Sequence, residues 1–366
     1  SIDNVSVKEY LGQEVVPDSG CGSWLFEPQS TNLLTQSELF SDASWIKAGA
    51  SVTSNAVISP EGILNADKLV EDSTNGYHIL DTGNMGSKSG SYTYSLFAKK
   101  GENNFVVLWW VYASTSKTWF DLENGVVGSQ TGAATDNAKI EDYGNGWFKC
   151  SVTRNEIGNV YCVIGNSNQD AVFSYQGDGT SGIYIWGAQL EQQTYATSYI
   201  PTEGSTVTRN QDVCNNGGSL ASINSTEGTL YVEAKVKTDT IFAANCIAVS
   251  DGTDANRLSI IMYGNINAIR ASMNVGGVTQ FDFNLPSGYI QEQYYKIAVS
   301  YKVNDCKIFI NGTKISTDTS ATMPLLGTFD RLNFDLGQGL YDFYGNTKAL
   351  AVWKEALSDQ ELAELT

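Results

Sequence analysis

The 366-residue sequence predicts an all-β protein: two antiparallel β-sandwiches in tandem, closed by one short C-terminal helix. Three observations carry that expectation. Apolar residues come in short runs that alternate with polar ones at a period of two, as half-buried strands do. The 35 glycines, with abundant Ser, Thr and Asn between the runs, supply tight turns. Length sets the number of sandwiches, since a chain this long is about twice a typical domain and should form two units of roughly 150 to 200 residues. An 11% aromatic and 42% hydrophobic share is enough to fill two cores.

Residues 1–7 (SIDNVSV) read as a strand of a preceding module, which implies a chain cut from something longer, and residues 10–22 (YLGQEVVPDSGCG) read as a linker. The first complete domain then begins near Trp24. Its β-rich runs are 92–98 (YTYSLFA) and 105–112 (FVVLWWVY), separated by the turn composition of 99–104 (KKGENN). Residues 147–152 (WFKCSV) and 160–164 (VYCVI) read as a hairpin around a polar, Gly-containing turn, and 183–190 (IYIWGAQL) ends the domain.

Residues 202–216 are polar and mark the boundary, giving an upstream remnant and linker over 1–23, a first sandwich over 24–205 and a second over 206–366. In 230–237 (LYVEAKVK), Leu230, Val232, Ala234 and Val236 share one face while Glu233, Lys235 and Lys237 share the other. Ile297, Val299, Tyr301 and Val303 repeat the pattern. Asn311-Gly312 inside 308–315 (IFINGTKI) is the strongest hairpin signal in the chain, and 250–252 (SDG) is a second. Ser358 and Glu361 form a capping box ahead of Leu362 and Leu365, which starts the single helix.

With 22 basic against 40 acidic residues, the net charge of -18 repels phosphate backbones and anionic bilayers, so nucleic acid is a poor partner and the acidity serves solubility. No apolar stretch has the length of a transmembrane helix, so membrane insertion is not expected. Cys21, Cys150, Cys162, Cys214, Cys246 and Cys306 are scattered without a CxxC pair, which argues against zinc and for buried free thiols of a protein folded in a reducing cytoplasm. A Cys150–Cys162 disulfide across the expected hairpin is the alternative.

Retaining glycosidases on sandwich folds need two carboxylates flanking one bond, and in the concanavalin-like class these alternate as Glu-x-Asp along one strand. That pattern is absent: Glu233 is alone on its strand, and Asp282 and Asp335 are isolated among Phe, Asn and Leu. The single histidine, His78, offers only one base for a triad and reads as a surface or half-buried residue. Aromatics are more informative, because sugar rings pack their C–H faces on flat side chains while nearby Asn, Asp, Gln and Lys satisfy the hydroxyls. Trp109 and Trp110 must point to opposite faces of their strand. With Tyr112 and Trp119 they form the candidate carbohydrate-binding cluster, Lys117 lying close in sequence, whereas Trp45, Trp147 and Trp186 are read as core. The oxygen-rich loop 250–256 (SDGTDAN) leaves calcium open near Asp251 and Asp254, as does 166–170 (NSNQD), although neither matches an EF-hand.

Several phrases occur together in order: EPQSTNLLTQSELFSDASW, GNGWFKCSVT, FSYQGDGTSGIYIWGAQLE and ATSYIPTEGSTVTR. They resemble the carbohydrate-binding-module-like domain of bacteriophage tail-fibre and related virion proteins. The later phrases VCNNGGSLASINSTEGTLYVEAKV, GGVTQFDF, INGTKI and FYGNTKALAVWKEALSDQELAEL are similar to concanavalin A-like lectin/laminin G-like domains. SIDNVSVKE is similar to the last strand of another carbohydrate-binding module. The resemblance implies a jelly-roll followed by a laminin G-like sandwich in a virion tail fibre made in the host cytoplasm, host cell-surface glycan as partner, other virion tail proteins as neighbours, and a homotrimer. It carries over no catalytic residue. A structural spacer or trimerisation role and a polysaccharide depolymerase are the alternatives.

Overall fold

Strand after strand, the period-two runs pair antiparallel, and among the described residues no cis peptide interrupts them. The computed structural model describes residues 13–15, 22–111, 116–132, 137–237, 244–264, 266–285 and 288–366. Two units emerge: Gln29–Asn210, and a second that joins Ser1–Pro28 to Gln211–Thr366.

In the unit Gln29–Asn210, two six-stranded sheets enclose one core. The first runs in the order Val126–Thr131, Ser116–Asp121, Phe105–Val111, Tyr161–Ser167, Ile79–Asp81, Ile46–Ala48. The second runs Asn137–Asp142, Trp147–Asn159, Ser87–Lys100, Gly182–Glu191, Leu64–Glu71, Ala50–Ile58. Val106, Leu108, Trp110 and Ile164 from the first sheet meet Tyr94, Leu96, Ile183 and Ile185 from the second in the core, together with Trp45. Trp147 and Trp186 are buried as well, on a separate cluster with Phe97.

The segments 147–152 and 160–164 do not form the expected hairpin. Trp147–Asn159 pairs with Ser87–Lys100 in one sheet, and Tyr161–Ser167 pairs with Phe105–Val111 in the other. The chain therefore crosses between sheets at Val160, and Cys150 and Cys162 reach the core from opposite sheets as buried thiols that form no disulfide with each other.

The second unit packs a seven-stranded sheet on a five-stranded one. Glu227–Val236 lies at the centre of the larger sheet between Gly345–Trp353 and Tyr295–Lys302. Leu230, Val232, Ala234 and Val236 turn inward, as their alternation requires. Asn311 and Gly312, at φ 48° and 79°, close a two-residue turn between Cys306–Ile310 and Thr313–Asp318, a conformation that Asn-Gly adopts with little strain. Ser358 Oγ accepts from the Glu361 amide and Glu361 caps back, starting the helix Asp359–Leu365. Seven residues are too few for a stable isolated helix. Burial of Leu362 with Leu357 against Trp353, Tyr231 and Phe309 fixes it to the outer face of the larger sheet.

The unit limits differ from those expected by a few residues at each end. Trp24–Phe26 pairs with Gly345–Trp353, so it joins the second unit, and Val207–Arg209 pairs with Ser30–Asn32 in the first. Part of the expected linker is a strand too, since Gln13–Val15 also pairs with Gly345–Trp353. Three-residue strands are too short to show a period, which is why composition misassigned them. The strand read over 1–7 and Cys21 lie outside the described residues.

Burial pushes the Cys150 and Cys246 thiols far up and Cys306 up to about 11, while Cys214 is only half-buried. Because the thiolate is the reactive form, brief alkylation of the native protein at pH 8 should label Cys214 ahead of Cys150, Cys162, Cys246 and Cys306. Peptide mass spectrometry checks the order.

Candidate functional site

Strand Phe105–Val111 is hydrogen-bonded on both edges, to Ser116–Asp121 and to Tyr161–Ser167, so its side chains divide strictly between two faces. Val106, Leu108 and Trp110 enter the core, and Phe105, Val107 and Trp109 turn outward. Trp110 is 2% exposed, edge-on to Tyr94 with centroids 6.1 Å apart. Its assignment to a ligand face is therefore corrected: it is a core residue. Trp119 does lie on the outer face, but Phe173 covers it, its Nε1 donates to the Val172 carbonyl at 3.0 Å, and only 2% of it is exposed. It supports the face from below and offers no ring to a ligand. Tyr112 lies outside the described residues.

Trp109 remains, half-buried, with its ring 5.9 Å from Tyr77 and 5.0 Å from Phe173. Tyr77 is half-exposed and packs 5.0 Å from Phe173, so three rings form one patch on the outer face of the sheet. Cross-strand register sets what flanks them: Lys117, Trp109, Val163, Asp81 and Ile46 stand in one row. Lys117 Nζ lies 4.6 Å from the Trp109 centroid and 5.0 Å from that of Phe173. Burial pushes the Lys117 ammonium below its ordinary pKa. Phe173 can reach the sheet because Gly165 carries no side chain, where a Cβ would stand 2.6 Å from the phenyl ring.

Tyr77 and Phe173 were not singled out by sequence. Neither sits in a periodic run, and each reaches the patch from a loop. A buried polar cluster holds those loops in place. Glu71 Oε2 accepts from the Tyr175 hydroxyl at 2.6 Å and from Asn103 at 2.7 Å, while Oε1 accepts from the Asp178 amide at 2.9 Å. His78, expected at or near the surface, is fully buried: Nδ1 lies 2.6 Å from the Gly49 carbonyl oxygen and Nε2 3.3 Å from that of Tyr175. It ties the segment that carries Tyr77 to the segment that carries Tyr175. Burial, then the hydrogen bond to Glu71, raises the Tyr175 hydroxyl pKa.

The carboxylates considered for catalysis each have separate partners. Glu233 is 3.6 Å from Lys348, Asp282 takes Arg270 in a two-bonded pair at 2.6 and 2.8 Å, and buried Asp335 accepts from the Gly337 amide. The loop considered for calcium closes on itself. Asp251 accepts from the Thr253 amide and hydroxyl and from Asn256, and Asp254 pairs with Arg257. In the other loop, Asp170 accepts from the Ser129 amide and hydroxyl. Among the described residues no group of three or more His, Cys, Asp or Glu is placed to hold a metal ion.

The class so defined is an all-β protein of concanavalin A-like and jelly-roll sandwich architecture. Residues 210–363 match the concanavalin A-like lectin/glucanases superfamily. No curated protein matches the sequence. Among solved structures, the chain is similar to the CBM40 of a Ruminococcus gnavus IT-sialidase bound to α2,3-sialyllactose, with 20% identity, 38% of this chain and 83% of that one covered, and a TM-score of 0.33. Domain 4 of a GH43 extracellular arabinanase from Geobacillus stearothermophilus, in complex with arabinotriose, gives 15% identity, 47% and 80% coverage and a TM-score of 0.33. A SAP-like pentraxin of Limulus polyphemus gives 12%, 41%, 72% and 0.32.

The two adjacent tryptophans should separate cleanly in stability. Trp110→Ala should lower the unfolding free energy by about 3–5 kcal/mol through the cavity it leaves, and Trp109→Ala by only about 1 kcal/mol, as read from urea titrations. Tyr175→Phe, which strips one donor from buried Glu71, should cost about 1–3 kcal/mol and speed amide exchange over residues 167–178.

Proposed function

We propose that the protein is a non-catalytic glycan-binding part of a phage tail fibre or similar adhesin, and that the unit Gln29–Asn210 contacts host surface polysaccharide through the Trp109 patch. One observation carries the proposal: the outer face of a rigid sheet presents Trp109 beside half-exposed Tyr77, with Phe173 beneath them and a lysine at the rim. Flat aromatic surface bordered by polar groups is what a pyranose face needs. A concanavalin A-like lectin sandwich in the same chain supports the reading, as do the tail-fibre-like phrases along the sequence. The virion setting, other tail proteins as neighbours and a homotrimer rest on those phrases. A trimer would multiply a weak single-site affinity into useful avidity on a repetitive polymer.

The test is a glycan array, followed by calorimetric titration of the best ligand against the full chain and two variants. Trp109→Ala and Tyr77→Ala should each weaken binding by about tenfold or more, equivalent to about 1.4 kcal/mol, with the fold unchanged by circular dichroism. Silence across host capsule and lipopolysaccharide glycans from both monomer and assembled oligomer would refute the reading. Undiminished adsorption by both variants would assign the unit a spacer role instead.

A further inference from the structure

We infer that the Trp109 patch selects sugars bearing an anionic group, a carboxylate or a sulfate ester, and that Lys117 reads the charge. This rests on the glycan-binding reading of the same patch and adds the substrate class to it.

Acidic residues outnumber basic ones by 40 to 22 in this chain, so carboxylates are plentiful. Lys68 pairs with Glu102, Lys307 with Asp305 and Asp359, and Arg331 with Asp330, while Lys47, Lys88 and Lys99 donate to backbone carbonyls. Lys117 has no ion-pair partner among the described residues, and its recorded contacts are the faces of Trp109 and Phe173.

The acids around it are engaged elsewhere. Asp81, at the far side of the same cross-strand row, accepts from the Gly83 amide, Asp170 is held by Ser129, and Asp121, farther along the Lys117 strand, accepts from the Glu123 backbone amide and the Asn124 side chain. Aromatic faces offset only part of what an ammonium loses on leaving water, and a charge-assisted hydrogen bond to an anion is stronger. The ammonium is thus half-desolvated and held beside the rings on which a sugar would stack. An anionic substituent on that sugar completes its coordination. A neutral sugar leaves it as it is, so the preference is built into the face before any ligand arrives.

The experiment titrates the full chain with three probes: an oligogalacturonate, its fully methyl-esterified and therefore neutral form, and a sulfated galactan oligosaccharide. The unmodified protein should bind one anionic probe about tenfold more tightly than the neutral one, and raising salt from about 0.1 to about 0.5 M should shrink that advantage. Lys117→Met should abolish the advantage by weakening the anionic probes far more than the neutral one, Lys117→Arg should retain it, and Trp109→Ala should weaken all three. Whichever anionic probe is preferred identifies the group as carboxylate or sulfate. Equal binding of charged and neutral probes, or an anionic preference that survives Lys117→Met, would overturn the inference and leave glycan binding standing. Failure of the unmodified protein to bind any probe, together with silence on the array, would remove both.

Discussion

Everything at the candidate face depends on one constraint, the register of strand Phe105–Val111 between its two neighbours. Leu108 stands opposite Thr118 and Ile164, both fully buried, while Trp109 stands opposite Lys117 and Val163. Because side chains alternate with a period of two, a slip of one residue would exchange the faces. Leu108 and Trp110 would then leave the core and Trp109 would enter it. Burying an unpaired ammonium is expensive, which keeps Lys117 outward, and the pairing of Trp109 with it puts that indole on the same face. The same core that stabilises the sandwich thereby orients the ring proposed to bind.

A sheet face alone would leave Trp119 as open as Trp109. The difference comes from residues 167–178, whose Phe173 covers one ring and only borders the other. That segment owes its position to buried polar groups. Glu71 is 4% exposed yet accepts four hydrogen bonds, including one from Asn166 at 3.3 Å, so its charge is compensated where it stands. His78 adds the Gly49 and Tyr175 backbone to the same cluster. The patch is thus pre-formed, with its cover set by polar bonds and its floor by apolar packing.

Sequence revealed what depends on local chemistry. The alternation of Leu230 to Val236, the Asn311-Gly312 turn and the Ser358/Glu361 capping box each state their geometry within a few residues, and each stands as read. What it could not reveal depends on distant partners. Trp119 is covered by a phenylalanine 54 positions later in the chain, so nothing near it announces burial. Cys150 and Cys162 looked like hairpin neighbours because the crossing at Val160 has the same composition as a turn. His78 looked like a surface residue because its partners, Gly49 and Tyr175, lie far away on either side. For Trp109 and Trp110, alternation narrowed the choice to two, and only the pairing partners decide which ring is outside.

The two units also show how a covering element decides whether an aromatic is structural or available. Trp353 lies on the outer face of its sheet, as Trp109 does on its own, yet Leu357 and Leu362 close over it and leave 3% exposed. A capped helix buries its stripe of leucines only by covering the surface beneath completely, since its own stability depends on that contact. A loop held by hydrogen bonds has no such requirement, because its stability comes from Glu71 and His78 at its base. It can stop short and leave an indole edge and a tyrosine ring in water. Apolar closure favours a finished core, whereas polar anchoring permits an open aromatic face, and the unit Gln29–Asn210 uses the second.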